Sequence, residues 1–156
     1  KIVILYGNNF ELCDLIVSSG GNDLVKFSKE KKDKERAKIE NTYLNLAIKK
    51  KIKFLAICYG AQYLAFKHGA KFILDKKHVS TNHLIYSDTN KKFTVNSYHN
   101  YKIIKLSKKF SILFKAEDNS LEGFKLKNKK ILGLMWHPER YVKLKKIDKD
   151  IIKKHL

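Results

Sequence analysis

A chain of 156 residues is long enough for one domain with a real core and too short for two comfortable ones, so 1–156 reads as a single domain. Its 44% hydrophobic and 31% charged residues are ordinary for a soluble protein; no apolar run approaches the roughly 18 residues of a membrane span and no leader pattern is visible, so a cytoplasmic protein without membrane attachment is expected. The net charge of +19 invites a nucleic-acid reading, but Arg36 and Arg140 are the only arginines and the lysines are spread along the chain, so most of this charge reads as solvated surface, with a remainder available to steer an anionic small substrate.

The first elements are the β-branched runs KIVIL (1–5) and DLIVSSGG (14–21), of the buried-strand type that favours a parallel sheet covered on both faces. Parallel neighbours need a crossover of about a dozen residues, which the intervening YGNNFELC cannot supply. A segment between about residues 6 and 14 is therefore expected to be missing from a chain that also lacks an initiator Met. The charged run 26–38 reads as a solvated loop entering a helix, and apolar residues recur at helical spacing from Glu35 to Ile48. The strand IKFLAI (52–57) follows, and then a helix from Gln62 to His68 that stops at Gly69. Beyond Ala70 the texture changes to short strands, FTVNSY (93–98), KIIKL (102–106) and SILFKA (111–116), and to a hairpin over 123–136 turning at Asn128-Lys129. From Tyr141 onward, Val142, Leu144, Ile147, Ile151 and Ile152 fall near one face of a closing helix.

Cys58 stands where the apolar strand meets the second helix, with Gly60 two residues on. A residue on such a sharp turn is pushed clear of the sheet edge, and the helix N-terminus beneath it favours a thiolate nucleophile. A buried structural thiol fits the same stretch, and on this stretch alone both readings stand. The second stretch that bears on the choice is ILGLMWHPER (131–140), an apolar strand running straight into His137-Pro138-Glu139. A histidine at a strand exit can act as general base, and an acid two residues later can fix its tautomer and stabilise the imidazolium.

Taken together, FLAICYGAQYLA (54–65), VNSYHN (95–100), GLMWHPER (133–140) and DLIVSSGGNDL (14–24) resemble, in order and spacing, motifs of the class I glutamine amidotransferases, a family that includes γ-glutamyl hydrolases. The resemblance spans Lys1 to about Tyr141 and implies an α/β three-layer sandwich with a mostly parallel central sheet and a smaller antiparallel portion. It implies a triad of Cys58, His137 and Glu139, an oxyanion site from backbone N–H groups of Tyr59 and the Gly20-Gly21 turn, and substrate contacts from Gln62, Ser97, Tyr98 and His99. No cofactor and no metal are implied; the substrate is a γ-glutamyl amide or conjugate. VNSYHN followed by MWHPER is most similar to a branch associated with surface polysaccharides, which points to a nucleotide-linked leaving group. The alternative within the family is a glutaminase subunit delivering ammonia to a partner synthetase. A catalytically dead binding protein on the same fold is disfavoured because all three triad positions are filled. Ala56 departs from the glycine common in the family two residues before the nucleophile.

Other polar residues carry plainer expectations. Two cysteines without a C-x-x-C offer neither a disulfide framework nor a zinc cluster, and Cys13 reads as structural. His78 and His83, at i and i+5, have a poor metal-ligand spacing on either a helix or a strand. Glu122 reads equally as an acid near the site or as a turn carboxylate.

Overall fold

The computed structural model describes residues 13–156, so the expected strand at Lys1–Leu5 and the expected missing segment lie outside the described residues. In chain order the elements are β1 (Leu15–Ser18), α1 (Lys31–Lys50), β2 (Lys53–Ile57), α2 (Tyr59–Lys67), β3 (Lys71–Leu74), β4 (Thr81–Ser87), β5 (Lys92–Ser97), β6 (Tyr101–Lys105), β7 (Phe110–Ala116), β8 (Leu121–Leu126), β9 (Ile131–Leu134) and α3 (Lys146–His155). Short 3-10 turns occupy Lys76–His78 and Pro138–Arg140. Seven strands form one mixed sheet in the order β1-β2-β9-β8-β7-β4-β5, and β3 pairs with β6 in a separate antiparallel sheet. Among the described residues the parallel pairings are β1 with β2 and β2 with β9; the remaining pairs of the large sheet are antiparallel.

Alternation along the parallel strands builds three layers. Phe54, Ala56 and Ile131 point to the face covered by Tyr43, Leu44 and Ala47 of α1 and Leu64 and Ala65 of α2. Leu55, Ile57, Leu132 and Leu134 point to the opposite face, where Trp136, just after β9, and Ile151 of α3 close the core. The docking of α3 is specified by polar contacts as well: the Trp136 indole donates to Asp148 Oδ1 at 2.9 Å, and the other Asp148 oxygen accepts from the Lys145 N–H at the helix start. The expected helix at Tyr141 therefore begins only at Lys146, because the Pro138–Arg140 turn and an irregular stretch come first.

The helix α1 runs past its expected ends into Lys31 and Lys50, so the charged run 31–34 is helix rather than loop. Lysine is a good helix former that needs no burial, and the buried Asp33, which accepts from Ser28 Oγ, puts an acid in the first turn where the helix dipole favours it, so a charge-rich start is compatible with a helix. Strands β3 and β4, which carry no clear alternating pattern, were not expected from the sequence; β3 is largely exposed and β4 has one fully buried position, Ile85.

What matters most for the site is register. Ser18 lies beside Ala56, Ala56 beside Gly133 and Ile57 beside Leu134, so the C-terminal ends of β1, β2 and β9 are level. Three loops thus leave one sheet edge together, the usual location of a ligand site in an open α/β sheet. Asn96 of β5, four strands from β9 in the order, hydrogen-bonds His137, so the sheet curls; the irregular register of β7 against β8 is the kind of bulge that increases twist. No helix of the described residues is long and apolar enough to cross a membrane.

Close approach of α2 to β1 depends on Gly60. A Cβ there would fall 2.2 Å from Ser18 Oγ and 2.7 Å from the Ser18 carbonyl oxygen, and the second of these is backbone that cannot rotate away. Gly60→Ala is expected to destabilise the fold by about 1–3 kcal/mol, the usual cost of overpacking. Urea unfolding of the variant checks this, and an unchanged midpoint would contradict it.

Candidate active site

The turn from β2 to α2 is sharp because Cys58 adopts φ 48° and ψ −100°, a region that side-chain-bearing residues occupy only under constraint. The constraint is visible: the Cys58 N–H donates to the Leu134 carbonyl of β9, and the Cys58 carbonyl accepts from the Gln62 N–H one turn into α2. The thiol sits at the sheet edge with the Tyr59 N–H reaching the sulfur. Cys58 is 4% exposed, and this burial pushes its thiol up to about 12 from an ordinary value of 9.0. The helix terminus therefore does not set the resting charge as expected from sequence. Desolvation outweighs the Tyr59 N–H, and the nearby Glu139 and Glu122 charges add to the rise.

His137 leaves the end of β9 at the same edge. Its backbone is clamped by one amide: the His137 N–H donates to Asn96 Oδ1 at 2.8 Å, and Asn96 Nδ2 donates to the His137 carbonyl at 3.0 Å. Its Nδ1 lies 2.6 Å from Glu139 Oε1, while its Nε2 is buried with no protein partner. Nδ1–H facing a carboxylate leaves Nε2 as the basic lone pair. Burial works against ionisation of Glu139, but the His137 contact, a backbone hydrogen bond and the Arg140 charge outweigh it and hold the carboxyl below its ordinary value.

The Gly20-Gly21 turn packs directly on this histidine. A Cβ on Gly20 would lie 2.5 Å from His137 Cε1, so only glycine lets the backbone this close. On the far side of the turn, Arg36 of α1 donates through Nη2 to the Ser19 carbonyl and through Nη1 to the Gly20 carbonyl, at 2.9 and 3.1 Å. In a trans peptide C=O and N–H point in opposite directions, so both carbonyls on Arg36 turn the Gly20 and Gly21 N–H groups away from it. Arg36 is itself held by Glu40, which accepts from Ser18 Oγ at 2.6 Å, and its guanidinium lies 4.4 Å from the Tyr59 ring centroid.

Two adjoining cavities meet at Cys58. One, of about 370 Å³, is lined by Ser19, Gly20, Gly21, Tyr98, His137 and Arg140, among others. The second, of about 480 Å³, shares Cys58, Gly21 and Tyr98 with it and extends past Gln62, His99 and Asp23. The structure thus brings together Cys58, His137, Glu139, Gly20, Gly21, Tyr98, Gln62 and His99. Tyr98 stands edge-on to the His137 ring, and the Arg140 guanidinium stacks on its face at 4.0 Å. Gln62 Nε2 donates to the Tyr101 carbonyl at 2.8 Å, which fixes its amide. Ser97 is not brought to either cavity wall; its fully buried hydroxyl donates to the His78 carbonyl at 2.6 Å. Cys13 is partly buried against the α1 side of the core.

Sequence reasoning missed Arg36, Asn96, Glu40 and Arg140 as neighbours of the site. Only Arg140 carried a signal, as the residue after His137-Pro138-Glu139; the others act over long sequence separations. Glu122 is not a turn carboxylate but a fully buried residue of β8, and His78, His83 and His99 from three other segments converge on it. Burial opposes ionisation of Glu122, but the side-chain contacts and charges of His83 and His99 outweigh it and hold the carboxyl well below the usual range.

The chain matches the family model "Glutamine amidotransferase class-I" over residues 8–156. It is 36% identical over 129 residues to a "Gamma-glutamyl-CDP-amidate hydrolase" of Campylobacter jejuni subsp. jejuni serotype O:2, an alignment covering 83% of this chain and 64% of that protein. It is 26% identical over 132 residues to a glutamine-hydrolyzing GMP synthase component of Methanocaldococcus jannaschii, covering 80% and 63%. The chain therefore spans just under two thirds of the length of these relatives. Among solved structures, a glutamine amidotransferase from Thermotoga maritima superposes with a TM-score of 0.63 at 23% identity, over 90% of this chain and 64% of the other, which shows a shared fold.

Because burial keeps the resting thiol protonated, alkylation of Cys58 by iodoacetamide is expected to rise about tenfold per pH unit from about pH 7 to about pH 10 without levelling off. Mass spectrometry of the Cys58 peptide measures this separately from Cys13. A plateau reached below about pH 8 would contradict the neutral resting thiol.

Proposed function

The chain belongs to the class I glutamine amidotransferase family, and from that premise we propose that it is a cysteine-dependent hydrolase of γ-glutamyl amide bonds, with Cys58 as nucleophile, His137 as base and acid, and Glu139 orienting His137. The observation that carries this reading is the pairing of His137 Nδ1 with Glu139, which leaves the buried Nε2 without a partner in the same cavity wall as Cys58.

In the first step Nε2 takes the thiol proton as sulfur attacks the γ-carbonyl, so the neutral resting thiol ionises only when the charge has a destination. The developing oxyanion meets the N–H groups of Tyr59 and of the Gly20-Gly21 turn, whose direction is fixed by Arg36. A single oxyanion donor contributes about 3 kcal/mol to lowering a barrier of this kind. Collapse of the tetrahedral intermediate breaks the C–N bond, the His137 imidazolium gives its proton to the departing amine, and a γ-glutamyl thioester remains on Cys58. Water, deprotonated by Nε2, then adds to the thioester; the sulfur leaves and regains the proton, releasing glutamate.

The two cavities suit the two halves of such a substrate. The wall with Gln62, His99 and Asp23 offers hydrogen-bonding and acidic groups for the α-carboxylate and α-amino ends of the glutamyl group. The wall with His137 and Arg140 takes the leaving group, where the proton must be delivered and where a guanidinium favours an anion. Together with the similarity to the Campylobacter hydrolase, this supports a nucleotide-linked leaving group, and hydrolysis of γ-glutamyl-CDP-amidate to glutamate and cytidine diphosphoramidate, in capsular polysaccharide modification, is the specific reading preferred. A glutaminase subunit that passes ammonia to a synthetase is the second reading, favoured by the similarity to the GMP synthase component.

Glutamate release by the purified chain from glutamine and from a γ-glutamyl phosphoramidate separates the two. The hydrolase reading expects turnover of the conjugate without a partner and a higher KM for it, but not for glutamine, in Arg140→Ala. Silence on both substrates until a synthetase is added would favour the second reading. Cys58→Ala and His137→Ala are each expected to lower kcat at least about a thousandfold, and full activity in either would overturn the triad.

A further inference from the structure

His99, which lines the cavity beside Cys58, also belongs to a cluster of three histidines around Glu122, and the reaction above gives no role to the rest of that cluster. His78 closes the 3-10 turn after β3, His83 lies on β4, His99 follows β5 and Glu122 is on β8. Glu122 is wholly buried, His99 2% exposed and His78 6% exposed. Their ring and carboxylate atoms face one another within ion-pair range but make no hydrogen bonds with one another. His78 Nδ1 and His99 Nε2 each stand 3.7 Å from Glu122 Oε1, and His83 Nε2 stands 3.4 Å from Glu122 Oε2. His78 Nδ1, both ring nitrogens of His83 and of His99, and Glu122 Oε2 are buried with no hydrogen-bond partner in the protein.

These separations are long for hydrogen bonds and natural for something else. Ligands held at about 2.0–2.1 Å around a tetrahedral ion stand about 3.3–3.4 Å apart, close to the spacings seen. The donor atoms of His78, His99 and Glu122 all lie within 4.8 Å of one another, as a shared ion requires. We propose that His78 Nδ1, His99 Nε2 and Glu122 form a binding site for a divalent transition-metal ion of the zinc class, with a fourth position left to water.

The surroundings fit that assignment. His78 Nε2 is 3.0 Å from Asp118 Oδ2, the carboxylate partner that fixes the tautomer of a metal-binding histidine and leaves its other nitrogen free for the ion. Asp118 is anchored in turn by Lys102 Nζ at 3.0 Å and the Ser120 N–H at 2.9 Å, and Ser120 Oγ donates to Glu122 Oε1 at 3.1 Å. The neighbouring acids Asp75 and Asp118 already have a cation in Lys102, whereas among the described residues the ion pairs of Glu122 are with histidines alone. Imidazole nitrogens with one carboxylate suit zinc-class ions rather than magnesium or calcium. Sequence spacing hid the set because its three members come from three segments, not from one helix or strand. The ion would tie those segments together and fix His99, which also lines the cavity beside Cys58.

The test uses the tag-free full chain, stripped with a chelator and titrated with Co²⁺ and then Zn²⁺. The site predicts visible d–d absorption of four-coordinate Co²⁺, saturating at about one ion per chain, bleached by Zn²⁺, and a thermal midpoint raised by Zn²⁺. Asp118→Asn, which changes a half-exposed residue, is expected to weaken binding about 10–100-fold while the chain still folds. Glu122→Gln and His78→Ala are expected to abolish the band. Absence of visible absorption and of Zn²⁺ uptake by the folded chain would overturn the site whatever the variants do, as would binding that survives both Glu122→Gln and His78→Ala.

Discussion

The backbone of Cys58 is held in a conformation that a cysteine keeps only under constraint, and the surrounding structure supplies that constraint from three directions. Its N–H is tied to β9, its carbonyl to the first turn of α2, and Gly60 lets that helix sit directly on Ser18 at the end of β1. Each contact needs the three parallel strands to end level, which their register provides. The cost of the strained turn, on the order of 1–3 kcal/mol for such a residue, is offset by the fully buried packing of Ala56, Tyr59, Ala61 and Leu64 around it.

The same edge explains how a thiol driven up by burial can be proposed as a nucleophile. Nothing nearby stabilises a resting thiolate enough to overcome desolvation, so the proposed mechanism ties reactivity to the moment when a proton acceptor and an oxyanion site are both engaged. His137 is held by two separate clamps, Asn96 on its backbone and Glu139 on its ring. The only two arginines of the chain both stand at this site, one behind the Gly20-Gly21 turn and one on the cavity wall, while the lysines carry the bulk of the positive charge. Composition alone, with arginine scarce, argued against a nucleic-acid partner; its placement gives arginine a narrower use as a planar, multiply donating group.

Much of this was legible from the sequence because the informative signals are local. The apolar run 53–57 into Cys58-Tyr59-Gly60, the glycine pair after β1 and the histidine at the exit of β9 each announce an element and its end within a few residues. The helix α1 was visible from its periodicity, although its charged first turn resembled a loop. What stayed hidden depends on partners far along the chain. Strand β3 shows little burial and is defined by pairing with β6, and β4 gains its place by pairing with β5 and β7. Asn96 looks like any polar strand residue until His137, 41 positions later, is set beside it. Glu122 and its histidines are similarly invisible, since spacing within one element says nothing about convergence from four.

The most direct test of the central claim is acid-quenched mass spectrometry during turnover of a γ-glutamyl amide. A γ-glutamyl group linked to the Cys58 peptide, appearing before glutamate and disappearing as substrate is exhausted, is the predicted result. Turnover that proceeds with no adduct on Cys58 at any quench time, or with the adduct on another residue, would contradict it.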